Sequence, residues 1–355
     1  MRSALQNLPE PKYPISGFGY TKETDPSVYN AFNFLPKITV ITPSFNQGHF
    51  LEETIRSVVA QNYPNTEFLI VDGGSKDDSV EILEKYSPFI TSWVSEKDNG
   101  TFDANNKALA KMTGDYWVVV NSDDTLVENA IYHVLKLLNE TTGELPDWIT
   151  GGIRIVNEIN VQKAVMHPKQ PEPIAGYTFA HSCWIYHPCT FLSRKVYTVT
   201  GKFRATDVMD YDYWVRMERT RYFPVIIPEI LANLRFHSDC KSYNYVKILG
   251  NVRDVIQGLY NEQKHTLSYE QMVQYKNKIK EWDILYLQTF IKSNIFDRKF
   301  IQAIKKLIYT ALTYPEQLFK RWYWGAVKRL FTGVEEWEFS MVMFLKDDKD
   351  KPKKK

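Results

Sequence analysis

Between Ile38 and Asn139 the apolar positions switch repeatedly between two periods. A continuous apolar run, ITVITPS at 38–44, reads as a strand buried on both faces. Leu51, Ile55, Val58 and Val59 then recur at helical spacing up to the turn NYPN. A second buried strand, EFLIVDGG at 67–74, runs into an acid and two glycines. Ser75 and Asp78 form an S-x-x-D capping box, which predicts a helix through Val80, Ile82, Leu83 and Tyr86. ITSWVSE at 90–96 supplies a third strand and ANNKALAKM at 104–112 a helix. DYWVVVNSDD at 115–124 is a fourth strand, and ENAIYHVLKLLN at 128–139 the next helix. Strands and helices alternating through loops this short predict an α/β layer on a mostly parallel sheet. Residues 1–37, rich in Pro, Gly, Tyr and Asn without a period, read as an irregular arm.

Three of these strands finish in polar or acidic residues: Asp72, the Glu96 and Asp98 pair, and the run Asn121 to Asp124. Ligands of open α/β sheets bind outside the carboxyl ends of the strands, so neighbouring strands would bring these side chains to one rim. Asp and Asn also end strands as turn formers and helix caps. Three strand ends doing so together, with Asp123 and Asp124 adjacent, point to a site. Adjacent carboxylates repel unless a cation lies between them. Oxygen ligands without clustered Cys or His favour Mg²⁺ or Mn²⁺ over zinc, and Mg²⁺ is usually held by one or two carboxylates plus phosphate oxygens. A metal-bound diphosphate is therefore expected. The chain has neither a G-x-x-x-x-G-K-[S/T] loop nor a G-x-G-x-x-G turn, which excludes a P-loop or a dinucleotide cradle.

Bulk properties narrow the picture. At 355 residues the chain exceeds the usual single core, so one large domain with an appendage, or two domains, is expected. A formal charge of +2 gives no reason to expect nucleic acid as a partner. Cys183, Cys189 and Cys240 show no metal-binding spacing and read as reduced thiols of a cytoplasmic protein. The opening MRSALQNLPEPKYP lacks the apolar core of a signal peptide, and no run approaches the roughly 20 apolar residues that cross a bilayer.

The segments ITVITPSFNQGHFLEETIRSVVAQNYPNTEFLIVDGGSKDDSVEIL and SEKDNGTFDANNKALAKMTGDYWVVVNSDD together resemble the nucleotide-sugar-binding half of family 2 glycosyltransferases of the GT-A fold. A weaker likeness continues through HPCTFLSRKVYTVTGKF, MDYDYWVRM and LRFHSDCKS. The resemblance implies a GT-A domain over 38–240, divided into a nucleotide-sugar half at 38–140 and an acceptor half at 141–240. Asp72 would face the nucleotide base, with Thr42, Pro43 and Ser44 lining the base and ribose pocket. Asp103, Asn106 and Lys107 would approach the ribose and diphosphate. Asn121, Ser122 and Asp123 occupy the D-x-D position, making Asp123 the principal metal ligand, Asn121 a ribose contact and Asp124 a supporting acid or helix cap. Asn in place of the first acid removes one charge from the metal site. Asp210 matches the general base of a reaction that typically inverts the anomeric centre, with Asp212 two residues on as the alternative. Met209 stands where Glu often precedes that base. His237 matches a histidine able to reach the metal or diphosphate, and His187 leads the acceptor-side segment.

The implied partners are a nucleoside diphosphate sugar carrying UDP, GDP or dTDP, and a glycan or lipid-linked acceptor. Two other classes compete. A nucleotidyltransferase would show a Gly-rich, basic loop after the first strand, where TPSFNQGHF has none, and a non-catalytic sugar-nucleotide binder would keep the fold without the acids. Residues 241–340 read as a helical C-terminal region and 341–355 as a disordered basic tail. Within it, Phe300, Ile301, Ile304, Ile308 and Leu312 recur at helical spacing among Arg298, Lys299, Lys305, Lys306, Lys320, Arg321, Lys328 and Arg329, with Trp322, Tyr323 and Trp324 alongside. Such a stretch at 296–331 either lies on an anionic membrane surface, at the inner face of the cytoplasmic membrane, or packs its apolar side on the rest of the protein.

Overall fold

In the computed structural model, which describes residues 5–15, 22–240 and 245–332, the four expected strands form one parallel block. They are β1 (Ile38–Ser44), β2 (Thr66–Asp72), β3 (Ser92–Ser95) and β4 (Tyr116–Val119), arranged β3-β2-β1-β4. Every residue of β1 and β4 is buried, as expected of strands covered on both faces. The register pairs Ser44 with Asp72 and Ile41 with Val119, which brings the carboxyl ends of the strands onto one edge. The covering helices are α1 (Gly48–Val59), α2 (Ser79–Tyr86), α3 (Thr101–Lys111) and α4 (Ala130–Glu140).

Helix α2 starts later than its sequence suggests. Ser75 does not cap it: the Ser75 backbone and hydroxyl both donate to Asp72, and Asp78 takes the cap position. Asp77 instead accepts from the Ser79 backbone and hydroxyl and from the Gly48 backbone, which ties the start of α1 to the start of α2.

Beyond β4 the sheet becomes mixed. β5 (Thr125–Leu126), β6 (Trp148–Val156), β7 (Gln162–Met166), β8 (Thr190–Ser193) and β9 (Val225–Arg235) extend it to nine strands in the order β3-β2-β1-β4-β8-β6-β9-β5, with β7 on β6. β8 runs antiparallel to β4 and β6, whereas β9 runs parallel to β6. The short β5 pairs antiparallel with β9, Thr125 opposite Asn233, and so joins the end of β4 to a strand more than a hundred residues on. α5 (Arg194–Thr200) and α6 (Met209–Arg219) pack over this half. Trp148 stacks on Trp214, and Trp117, Phe203 and Tyr213 meet beside them in one aromatic cluster.

The chain divides into two units, one of residues 1–170 and 183–237, the other of residues 171–182 and 238–355. No feature of the sequence sets 171–182 apart from its neighbours as part of the second unit. The N-terminal arm belongs to the first unit, where Tyr29 is buried and its hydroxyl donates to the Gln61 carbonyl. The second unit is helical, with α7 (Tyr245–Gln263), α8 (Tyr269–Phe296), α9 (Phe300–Thr313) and α10 (Arg321–Thr332). Its core joins Ile291 and Ile295 of α8, Ala303 and Leu307 of α9, and Tyr323 and Ala326 of α10. Asp283 on α8 accepts from Arg253 of α7 and from the Tyr314 hydroxyl. The basic tail expected at 341–355 lies outside the described residues. Among the described residues no helix is long and apolar enough to cross a membrane.

Candidate active site

The loop after β4 carries Asn121, Ser122, Asp123 and Asp124, and donors from α1 and β9 fix it. From beneath, the buried Thr54 hydroxyl of α1 sits between the Ser122 carbonyl at 2.9 Å and the Asp124 carbonyl at 2.7 Å. From the side, Arg235 at the end of β9 donates its backbone N–H to the Asp124 carboxylate at 3.0 Å and its Nε to the Asp123 carbonyl at 2.9 Å. Nη1 of Arg235 reaches the Glu158 carbonyl, and Nη2 pairs with Glu53 of α1, which also accepts from Asn160. The guanidinium lies 4.5 Å from the centre of the Phe50 ring. Arg235 and Glu53 are both buried, so this ion pair fixes α1, β9 and the acidic loop against one another. Neither residue was singled out from the sequence, where nothing pairs positions 53 and 235.

Two residues past Arg235, the buried His237 places Nε2 3.0 Å from Oδ2 of Asp123. The expected metal ligands therefore meet, although 114 residues separate them. Asp124 points elsewhere: its carboxylate is buried, accepts from Asn121 and Arg235, and has its pKa pushed well up by burial and by the Asp123 charge. Asn121 thus braces Asp124. No group of three His, Cys, Asp or Glu side chains arranged to hold a metal occurs among the described residues. Asp123 and His237 could together hold a divalent cation only if oxygens from a bound ligand or water completed its shell, because two side chains do not form an all-protein cage.

At the end of β1, the buried Thr42 Oγ1 and Ser44 Oγ have no hydrogen-bond partner among the described residues, and Pro43 is buried between them. Buried hydroxyls are normally satisfied, so two orphans at one strand end mark a place for a ligand. Asp72 differs from expectation. Its fully buried carboxylate accepts from the backbone of Gly74 and Ser75 and from the hydroxyls of Ser75 and Ser95, the last at 2.6 Å. Four internal donors occupy it, and it shapes the turn. The acid beside that turn is Asp98: a side chain on Gly73 would meet its Oδ2 at 2.8 Å.

Asn106 engages the Phe203 main chain in both directions, at 2.9 and 2.8 Å. Lys107 pairs with Glu96 at 2.8 Å, and Asp103 accepts from the Asn99 backbone and side chain. In the structure these three residues therefore brace the rim.

The two acids of α6 are placed differently. Asp212 pairs with Arg216 at 2.9 Å and with Arg204 at 3.3 Å. Asp210 forms no ion pair among the described residues and accepts only the Tyr211 N–H, at 2.9 Å in the first turn of the helix. His187 lies against Trp214 and Phe203, and its buried Nε2 has no partner. Burial pushes the His187 pKa down while the Asp210 charge acts in the opposite sense; burial and Asp210 together push the Cys183 thiol up.

The family model "Glycosyl transferase family 2" matches residues 39–200, the span holding β1 to β8 and the acidic loop. That span is a glycosyltransferase family 2 domain by this match. A glycosyltransferase of Rickettsia felis is 26% identical over 278 residues, which are 74% of this chain and 43% of that protein, so the chain spans less than half the relative's length. The chain shares the GT-A fold of S. aureus TarS in complex with UDP-GlcNAc, at 16% identity and a TM-score of 0.51 over 76% of this chain and 79% of that one. The mannosyltransferase PcManGT of Pyrobaculum calidifontis, in complex with GDP-Man and Mn²⁺, superposes with a TM-score of 0.51 at 14% identity, over 88% of this chain and 90% of that one.

Proposed function

We infer that the chain transfers a sugar from a nucleoside diphosphate sugar to a hydroxyl of a glycan or lipid-linked acceptor, inverting the anomeric centre. The observation that carries this reading is the pairing of Asp123 with His237 on the edge where Thr42 and Ser44 leave buried hydroxyls unpartnered. Thr42 and Ser44 would take the nucleoside. Asp98, half-buried over Gly73, takes the base-facing role that resemblance assigned to Asp72. Asp123 and His237 would hold Mg²⁺ or Mn²⁺ together with the diphosphate. When bound, the cation offsets the charge that builds on the leaving diphosphate. The reaction cleaves the bond from the anomeric carbon to the diphosphate oxygen and forms one from that carbon to the acceptor oxygen. Asp210 would take the acceptor's proton. It is the α6 acid without an arginine, and a base must reach the hydroxyl it deprotonates. Asp212 would hold the helix start through Arg216 and Arg204.

The bound nucleotide sugars named for TarS and PcManGT support the donor class. The test is release of UDP, GDP or dTDP from their sugars with and without Mn²⁺, in wild type and Asp210→Asn. Nucleoside diphosphate released with sugar transfer supports the reading, and pyrophosphate release would instead indicate a nucleotidyltransferase. Binding of the nucleotide sugar without any release would leave a non-catalytic binder.

A further inference from the structure

Helix α9 is apolar on both sides. Ala303, Leu307 and Thr310 are buried, the first two in the core with α8 and α10. Ile301, Ile304, Ile308 and Leu312, three, four and four residues apart, form a second stripe away from that face, and all four are exposed, Leu312 by 79% and Ile301 by 69%. Single exposed aliphatics are ordinary, but a periodic row of four on one helix marks a contact surface. Helix α10 presents a mixed row instead: Arg321, Trp324, Lys328 and Phe331 fall at three, four and three, two aromatic and two basic, and all are exposed.

The charge around these stripes identifies what covers them. Residues 296–331 carry eight basic side chains against two acidic ones, Asp297 and Glu316, and both acids are already paired with lysines. Lys305, Lys320, Arg321 and Lys328 form no ion pair among the described residues. A second copy of the same surface would set this positive charge against its like, and the cores of protein interfaces are depleted in lysine. Aliphatic and aromatic side chains among unpaired cations instead suit an anionic lipid surface, where the apolar row enters the acyl boundary and the cations meet the headgroups.

We propose that α9 and α10 dock the protein peripherally on anionic membranes, with Ile301, Ile304, Ile308 and Leu312 as the inserted row. This assignment is independent of the transferase reading, because its test measures vesicle binding and no turnover. The full chain is sedimented with phosphatidylcholine vesicles and with vesicles in which about a third of the lipid is phosphatidylglycerol. Binding is expected to the anionic vesicles and to weaken with salt. Ile304→Asp combined with Ile308→Asp should lower that binding at least about tenfold. Its melting curve should stay unchanged, because neither side chain is buried. Lys305→Glu should lower binding about fivefold or more. A wild-type chain that stays in the supernatant with anionic vesicles overturns the proposal, as does an aspartate variant that binds as wild type does. A wild-type dimer that the aspartate variant abolishes, with no vesicle binding by either, assigns the face to a second copy and also overturns it.

Discussion

The two ends of the same parallel strands are built by opposite rules. At the amino end, Thr39 of β1 donates to Glu67 of β2 at 2.6 Å, and Thr113 adds its backbone at 2.7 Å and its hydroxyl at 2.6 Å. Gly114 returns its N–H to the Thr39 oxygen. Burial raises the Glu67 pKa, but the Thr113 and Thr39 donors and the Lys37 charge outweigh it and hold the carboxyl below its usual range. Every polar atom named there has a partner. Three and five residues along β1, Thr42 and Ser44 are also buried and have none among the described residues. The helices and strands are shared, so the difference lies in purpose: the amino end contributes stability, and the carboxyl end keeps unmet hydrogen-bonding capacity for a ligand.

The comparison can be broken at either end. The largest effect is expected for Asp210→Asn, a loss of about 10² to 10⁴ in turnover with little change in donor KM or melting temperature. Asp212→Asn should affect turnover far less and lower thermal stability through the lost Arg216 pairing; the reverse ranking in kcat would make Asp212 the base. Next comes Asp123→Asn, which should weaken Mn²⁺-dependent donor binding, read by calorimetry with the nucleoside diphosphate, by about tenfold or more. At the sealed end, Thr39→Val leaves Glu67 a donor short and should cost about 1–3 kcal/mol in denaturant unfolding without moving KM. At the open end, Thr42→Val removes a hydroxyl that has no partner, so stability should hold within about 0.5 kcal/mol while donor KM rises several-fold. Equal stability losses for the two threonines would erase the distinction drawn here.

The smallest effect concerns acid. Burial holds the folded pKa of His187 below the ordinary 6.5. Its contribution is therefore complete above that value and is lost as pH falls below it, because the unfolded chain then binds a proton that the folded one resists. Denaturant midpoints should decline on acidification below about pH 6.5, and His187→Gln should flatten part of that decline.

How far the sequence alone could be read varies along the chain. The unbroken apolar runs of β1 and β4 identified themselves, because a strand covered on both faces leaves no room for polar residues. Asp123, at the mouth of β4, was legible for the same reason. Resemblance left two candidates for the base, Asp210 and Asp212, two residues apart, and the arginines around Asp212 are what distinguish them in the structure. Ser75 followed by Asp78 looked like a helix cap, yet Asp72 competed for the same donors and won. Asp98 was visible as a strand-end acid, but its place over Gly73 depends on how the turn folds back.

By itself the sequence determined the strand–helix alternation, the edge of the sheet that carries the acids and the class of chemistry they suit. Those follow from local period and residue type, which the chain carries within a dozen residues. The tertiary structure sets His237, which resemblance had already matched to the metal site, against Asp123, and it alone decided that the Arg235–Glu53 pair fixes the loop and that the aliphatic row of α9 is exposed. Each depends on a contact between segments, or on which side of a helix its neighbours leave uncovered. Antiparallel pairing of the two-residue β5 with β9 makes the first two, across more than a hundred residues whose spacing carries no trace of it.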